Sequence, residues 1–235
     1  MTVNRDELKR VAALRAIEEV ENGMVVGLGT GSTAAFVVEG LARRVAGGLR
    51  FIGIPTSERT AAQARRLGIP IATFAEYQRL DLTIDGADEV RLGSLDLIKG
   101  LGGALLREKI VASASRRLAI VVDEEKLVER LGEHTPVPVE VTQFGWQATA
   151  VALAGLGCVP ERRYGAGEQP FVTDGGNFIL DCRFGPLADP GGVERRLAMT
   201  VGVVESGLFV GRCSAVVVAA SDGVEVLIPP GKTPS

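Results

Sequence analysis

Asp85 and Asp88 sit three residues apart in Ile84-Asp85-Gly86-Ala87-Asp88-Glu89. Lys99 follows at the head of a glycine-rich bend, Ile98-Lys99-Gly100-Leu101-Gly102-Gly103. Glu108 comes about one turn into the apolar run that begins Ala104-Leu105-Leu106-Arg107. Acids and an amine held on loops at the ends of buried strands are the groups that proton-transfer chemistry needs. A base that removes a weakly acidic proton works best when desolvated and when the developing charge is stabilised. Glu108 on an apolar helix is placed to have its pKa raised by burial, and Lys99 supplies positive charge for the oxyanion. The blander alternatives are turn and cap duty for Asp85 and Asp88, and a solvated face for Glu108 and Lys109.

A second constellation precedes these residues. Met24-Val25-Val26-Gly27-Leu28 reads as a buried strand, followed by Gly29-Thr30-Gly31-Ser32-Thr33 and a helix from about Ala34 to Val45. Strand, glycine-rich turn and helix together aim backbone N–H groups at an anion. No Lys-Ser/Thr follows the glycines, so this is not a Walker A loop. Gly29-x-Gly31-x-x-Ala34 formally fits a relaxed dinucleotide fingerprint, but no acid ends the second strand, Leu49 to Ile54. That strand runs instead into Pro55-Thr56-Ser57-Glu58-Arg59-Thr60, and hydroxyls in both loops suit a small phosphate monoester.

These loops must hang on a framework. Asn4 with Glu7 resembles a helix-opening cap, and the helix ends at Asn22-Gly23. Further helices are predicted for 59–67, 102–115, 145–156 and near 193–199, with a short one opening at Asp123. Short strands are predicted at 69–71, 80–84, 118–122, 139–141, 158–164 and 203–208. Phe171–Thr173 and Phe178–Cys182, joined by Asp174-Gly175-Gly176-Asn177, read as a hairpin, and so do Ser214–Ala220 and Val224–Ile228. The pattern is α/β up to Leu131 and becomes a small α+β unit with an antiparallel sheet beyond the proline-containing stretch 132–138. Return of the apolar 214–220 strand to the main sheet would make the small unit an insertion, with 1–131 and 207–235 as the α/β domain and 132–206 as the α+β domain.

Composition narrows the classes. The 235 residues are 46% hydrophobic and 23% charged, so a core is easily built. A net charge of −3 argues against nucleic acid or an anionic membrane as the main partner. Cys158, Cys182 and Cys213 are odd in number and form no C-x-x-C pair, so buried apolar duty is expected of them. No charged-then-apolar leader and no apolar run of about 18 residues is visible, which points to a cytoplasmic setting. The one histidine, His134, falls in a loop, leaving acid–base work to carboxylates and lysine.

Gly27-Leu28-Gly29-Thr30-Gly31-Ser32-Thr33-Ala34, Pro55-Thr56-Ser57-x-x-Thr60, Asp85-Gly86-Ala87-Asp88-Glu89, Lys99-Gly100 with Arg107-Glu108-Lys109, Pro138-Val139-Glu140-Val141 and Thr173-Asp174-x-Gly176-Asn177 occur in this order. In these motifs the chain resembles the A-type ribose-5-phosphate isomerases over almost its whole length. The resemblance implies interconversion of D-ribose 5-phosphate and D-ribulose 5-phosphate without metal or organic cofactor. It also implies a doubly wound, Rossmann-like main domain with a ferredoxin-like small domain, in a homodimer or dimer of dimers. Carried over by position, Glu108 is the base, while Asp85, Asp88 and Lys99 surround the sugar oxygens. Thr30, Gly31, Ser32, Thr33, Ser57, Thr60, Gly86, Ala87, Gly100 and Gly102 line the substrate, and Lys9 and Lys126 bring positive charge to its phosphate. One departure stands out: Leu101 occupies a place where the family usually has glycine, so that position is either not left-handed or the loop is reshaped. The rival class is a non-catalytic sugar-phosphate sensor of the same fold, as in transcription regulators. Deaminases and coenzyme A transferases also share the glycine–threonine loop. No DNA-binding segment is visible to favour a sensor, and a deaminase would be expected to have a catalytic histidine, whereas His134 lies in the wrong region.

Overall fold

The computed structural model describes residues 5–221 and 223–231. In chain order the elements are α1 (Arg5–Ile17), β1 (Val25–Leu28), α2 (Ser32–Ala46), β2 (Ile52–Pro55), α3 (Glu58–Arg66), β3 (Leu82–Asp85), β4 (Glu89–Arg91), β5 (Leu97–Ile98), α4 (Leu105–Ala114), β6 (Leu118–Asp123) and β7 (Leu127–Val128). They continue with β8 (Val137–Val141), α5 (Trp146–Ala154), β9 (Val159–Arg162), β10 (Phe178–Arg183), α6 (Pro190–Ala198), β11 (Val203–Ser206), β12 (Leu208–Phe209), β13 (Ala215–Ala220) and β14 (Gly223–Leu227). The cap expected at Asn4 lies outside the described residues.

Six strands form the main sheet in the order β14-β13-β6-β3-β1-β2, all parallel except the edge strand β14. Both faces are covered, so the central strands are buried along their whole length. One face, with Val26, Leu28, Leu82, Ile84, Val121 and Val217, packs on α1 and α2 through Ala12, Ala16, Ile17, Val37 and Leu41. The other, with Leu118, Ile120, Val216 and Val218, packs on Ala112 of α4 and on Val90, Leu97 and Phe209. The chain reverses its direction of winding between β1 and β3. Ligands in open α/β sheets bind beyond the strand ends at such a switch point.

The small unit runs β8-α5-β9-β10-α6-β11, with sheet order β11-β8-β10-β9 and antiparallel pairing throughout. This is the split βαββαβ, ferredoxin-like arrangement. Its core is Val137, Val139, Val141, Leu153, Leu180, Cys182 and Leu197. After β12 the chain re-enters the main sheet, where β13 pairs in parallel with β6.

Several expected elements differ. Residues 171–173 form no strand, because β10 takes β9 as its antiparallel neighbour and Asp174–Asn177 becomes a turn. At 69–71 only a single bridge, Gly53 to Ile71, is made. The helix expected from Gly102 starts at Leu105, since Gly103 has φ +84. The segment after Asp123 is one 3₁₀ turn. A third sheet, β12-β5-β4-β7, is built from strands of two or three residues, too short for periodicity to reveal.

Candidate active site

Asp85 is the last residue of β3, and alternation along the strand puts its side chain on the same face as Thr83. That face carries α4: Thr83 Oγ1 lies 2.6 Å from Ser115 Oγ at the end of the helix. The acid at the strand end and Glu108 on the helix are therefore brought together by the packing of α4 on β3. Asp85 Oδ1 accepts from Thr30 N–H at 3.0 Å and Gly86 N–H at 2.8 Å. Gly29 is glycine because a Cβ there would collide with the Asp85 carboxylate. The glycine-rich turn after β1 is thus shaped by this acid.

Lys99 follows β5. Its N–H donates to Gly207 O at 2.9 Å, and a Cβ at Gly207 would strike the Lys99 carbonyl. The chain leaving the small unit therefore holds the lysine's backbone. The Lys99 ammonium donates to Gly86 O at 2.6 Å and lies 2.9 Å from Asp85 Oδ2 and 3.3 Å from Glu108 Oε2. Those two carboxylate oxygens are buried and receive no well-directed hydrogen bond. Lys99, Asp85 and Glu108 are each at most 3% exposed.

Burial by itself would pull Lys99 down, but Asp85, Glu108 and Asp88 outweigh it and hold the ammonium above the ordinary lysine range. Glu108 is pushed up to about 8, first by burial and then by Asp85 and Asp88, against the pull of Lys99. Burial also raises Asp88, opposed by the Leu101 N–H that it accepts at 2.9 Å and by Lys99 and Lys126. The result is a permanent cation 3.3 Å from a buried acid that burial holds well above the usual carboxylate range.

The glycine-rich bend works without a left-handed residue at 101. Gly100 and Gly103 take φ +106 and +84, and Leu95 is the one described non-glycine residue with positive φ. Leu101 keeps ordinary geometry and aims its N–H at Asp88, so the departure from the family pattern leaves the loop intact. Arg163, reaching over from the end of β9, donates to Gly100 O at 2.9 Å and Leu101 O at 3.0 Å.

Beside the acids stands a hydroxyl cluster. Thr30 Oγ1 lies 2.7 Å from Thr56 Oγ1, 2.8 Å from Ser57 Oγ and 3.3 Å from Thr60 Oγ1. Ser57 caps α3 by accepting from Thr60 N–H. Helix α2 has Gly31 at its N-cap, with φ +119 and no side-chain cap, so its first N–H groups stay open to an anion. Lys9 extends from α1 to donate to Ser32 Oγ at 3.2 Å, adding charge at that helix end. A Cβ on Gly86 would sit 3.9 Å from Thr33, and one on Gly102 would sit 3.7 Å from the Thr30 methyl. Ala87 packs against the cluster containing Val90 and Leu97, next to the acids. Lys126 acts electrostatically on Asp88. Of the residues named from the sequence, Asp85, Lys99 and Glu108 meet in the buried charged cluster, and Thr30, Ser57 and Thr60 meet in the hydroxyl cluster.

Thr56, Gly207 and Arg163 support these groups but were not singled out from the sequence. Thr56 stood within a recognised motif; the other two had no local signal, since their partners are 62 to 108 positions away. His134 is an exposed loop residue, and the three cysteines are buried. A surface cleft of about 530 Å³ lies at the opposite, amino-terminal edge of β1 and β2. Its lining, which includes Met24, Leu49, Phe51 and Tyr77, contains no acid or lysine. Among the described residues no helix is long and apolar enough to cross a membrane.

Comparison with known proteins agrees with this geometry. The profile of ribose 5-phosphate isomerase A (phosphoriboisomerase A) matches residues 52–223. The chain belongs to the ribose 5-phosphate isomerase A family. It is 66% identical over 224 residues to the ribose-5-phosphate isomerase A of Gloeobacter violaceus, covering 95% of this chain and 97% of that protein. The Gluconobacter oxydans relative is 55% identical, with 92% and 94% covered. Among solved structures, ribose 5-phosphate isomerase A of Methanocaldococcus jannaschii superposes with a TM-score of 0.92 at 39% identity, covering 96% of this chain and all of that one. A D-ribose-5-phosphate isomerase in complex with phospho-erythronic acid gives 0.93 at 38% identity, with 96% of this chain and 100% of that chain covered.

Proposed function

We propose that this chain interconverts D-ribose 5-phosphate and D-ribulose 5-phosphate by proton transfer through an enediolate. The observation that carries the reading is Glu108, a buried acid with its pKa near 8, held 3.3 Å from the Lys99 ammonium beside an open helix N-terminus. The substrate phosphate belongs at the start of α2 with Lys9 and Lys126, and the reacting carbons belong at Glu108. In the open-chain aldose Glu108 removes the proton on C2. The C–H electron pair forms the C1–C2 double bond, and the C1 carbonyl oxygen becomes the anionic oxygen of the enediolate. Lys99 stabilises that charge in a water-poor setting, where it counts most. Glu108 then delivers its proton to C1, while the O2 hydroxyl proton passes to O1, and the ketose results. Asp85 and Asp88 orient the sugar hydroxyls and assist ring opening.

Phospho-erythronic acid, bound by the structural relative, ends in a planar carboxylate that imitates the two oxygens of an enediolate, which supports the enediolate reading of the reaction. Nothing observed favours the sensor alternative. The same reading takes 1–131 with 207–235 as the catalytic domain and 132–206 as the inserted domain, in a cytoplasmic homodimer or dimer of dimers. The test is incubation of EDTA-treated protein with ribose 5-phosphate in D₂O, followed by NMR. Ribulose 5-phosphate is expected, with deuterium at C1 in the fraction of turnovers in which the proton on Glu108 exchanges with solvent before delivery, and both conversion and labelling are lost in Glu108→Gln. Binding of ribose 5-phosphate without conversion would return the sensor reading.

A further inference from the structure

Two motifs, Pro138-Val139-Glu140-Val141 and Thr173-Asp174-Gly175-Gly176-Asn177, take no part in the chemistry above, yet they meet in the fold. Glu140 on β8 is 1% exposed, and its Oε1 accepts from the Thr173 hydroxyl and the Asn177 side-chain amide, each at 2.9 Å. Thr173 N–H donates to Asn177 O and Gly176 N–H returns to Thr173 O, closing the turn on itself. A buried carboxylate is costly without donors, so Glu140 holds the turn in one place.

That turn carries Asp174 to the main sheet's loops. Asp174 Oδ2 accepts at 2.8 Å from the N–H of Glu58, the first residue of α3 and the neighbour of Ser57. On its other side stands Arg107, the neighbour of Glu108. Arg107 donates to the Asp174 carbonyl at 3.3 Å, lies 3.5 Å from Asp174 Oδ2 and pairs with Glu58 at 2.8 Å. One aspartate of the small unit thus ties the helix that presents Ser57 and Thr60 to the helix that presents Glu108. Phe171, from the same connection, packs where a side chain on Gly103 would have to go.

We propose that Asp174 is a positioning residue for the isomerisation, setting the hydroxyl cluster and the Glu108 helix at their working separation from an anchor at Glu140. The proposal rests on Glu108 being the base. Misplacement of a reacting group by about 1 Å costs on the order of 10²-fold in rate, which sets the scale expected here.

The experiment measures kcat and KM of Asp174→Ala and Asp174→Asn beside Glu108→Gln, each corrected for the folded fraction by circular dichroism. Asp174→Ala is expected to lower kcat/KM by about 10- to 100-fold in fully folded protein. Asp174→Asn, which still offers an oxygen to the Glu58 N–H, is expected to recover most of that loss. The proposal is overturned if Asp174→Ala stays within about threefold of wild type while Glu108→Gln is inactive, an outcome that leaves the base assignment standing. It is also overturned if Asp174→Asn is as impaired as Asp174→Ala, or if the deficit vanishes on correction for folding. A normally active Glu108→Gln would overturn the base assignment and this proposal with it.

Discussion

Glu108→Gln separates the chemistry of this residue from its effect on folding, and the two should move in opposite directions. In an unfolded chain the carboxyl titrates near 4.5, whereas in the fold burial moves it to about 8. Between those values the unfolded chain has released the proton and the folded chain has kept it. The folded state then binds more protons, and stability falls as pH rises. At about 1.4 kcal/mol per pH unit the penalty approaches on the order of 4–5 kcal/mol by pH 8 and then levels off. The residue is 3% exposed, so solvent screening removes little of it. Glutamine has the same shape and does not titrate. The stability of the variant relative to wild type should therefore climb from pH 5 to pH 8, while turnover drops ~10²–10⁴-fold, the usual share of a general base. Urea unfolding at pH 5, 6, 7 and 8 reads the first effect and steady-state kinetics the second. A stability gap that stays constant or shrinks with rising pH would refute the burial argument. Turnover within a few fold of wild type would remove Glu108 from the mechanism.

Other outcomes follow from the same geometry. On the acid side, kcat/KM should fall by about tenfold per pH unit below about 8 as Glu108 takes up its proton, so a flat profile from pH 6 to 8 contradicts its assignment as base. Lys99→Ala should cost roughly 10²–10³-fold in kcat with little change in KM, because the developing oxyanion meets the ammonium most strongly in the transition state. A pure rise in KM would contradict that role. Gly29→Ala drives a methyl into the Asp85 carboxylate and should lose about 10²-fold in kcat/KM at near-normal secondary structure. Full activity in that variant would mean that the Asp85 position is not critical. Lys9→Ala should raise KM for ribose 5-phosphate several-fold at roughly constant kcat, most visibly at low salt; an unchanged KM would take Lys9 out of the phosphate site.

The helix-supporting patterns and buried apolar runs read well from sequence, because burial on both faces leaves a continuous Val, Ile and Ala signature in strands such as Leu118–Asp123. The return of Ala215–Ala220 to the main sheet was visible as a further apolar run after the small unit. The hairpin expected across Asp174–Asn177 failed because a turn motif does not name its strand partner. Residues 178–183 found a better neighbour in Val159–Arg162, and the freed turn was captured by Glu140. The two-residue strands of the third sheet carry no period at all and exist only because Leu208–Phe209 comes back beside Leu97–Ile98.

By itself the sequence determined which groups are available for chemistry and in what order they occur along the chain. Residue type sets acidity, charge and hydrogen-bonding capacity, and glycine and hydroxyl spacing sets the local turn and the helix start. What only the tertiary structure decided is how those groups behave. Glu108 is pushed up to about 8 because its helix is pressed against β3 and loses water, and Lys99 stays charged because Asp85 and Asp88 from the end of β3 and Glu108 from α4 act on it together. Arg163, Gly207 and Asp174 support the site across 62 to 116 positions of chain. Desolvation and Coulomb energy depend on distances through space, and those distances exist only once the long-range contacts have formed.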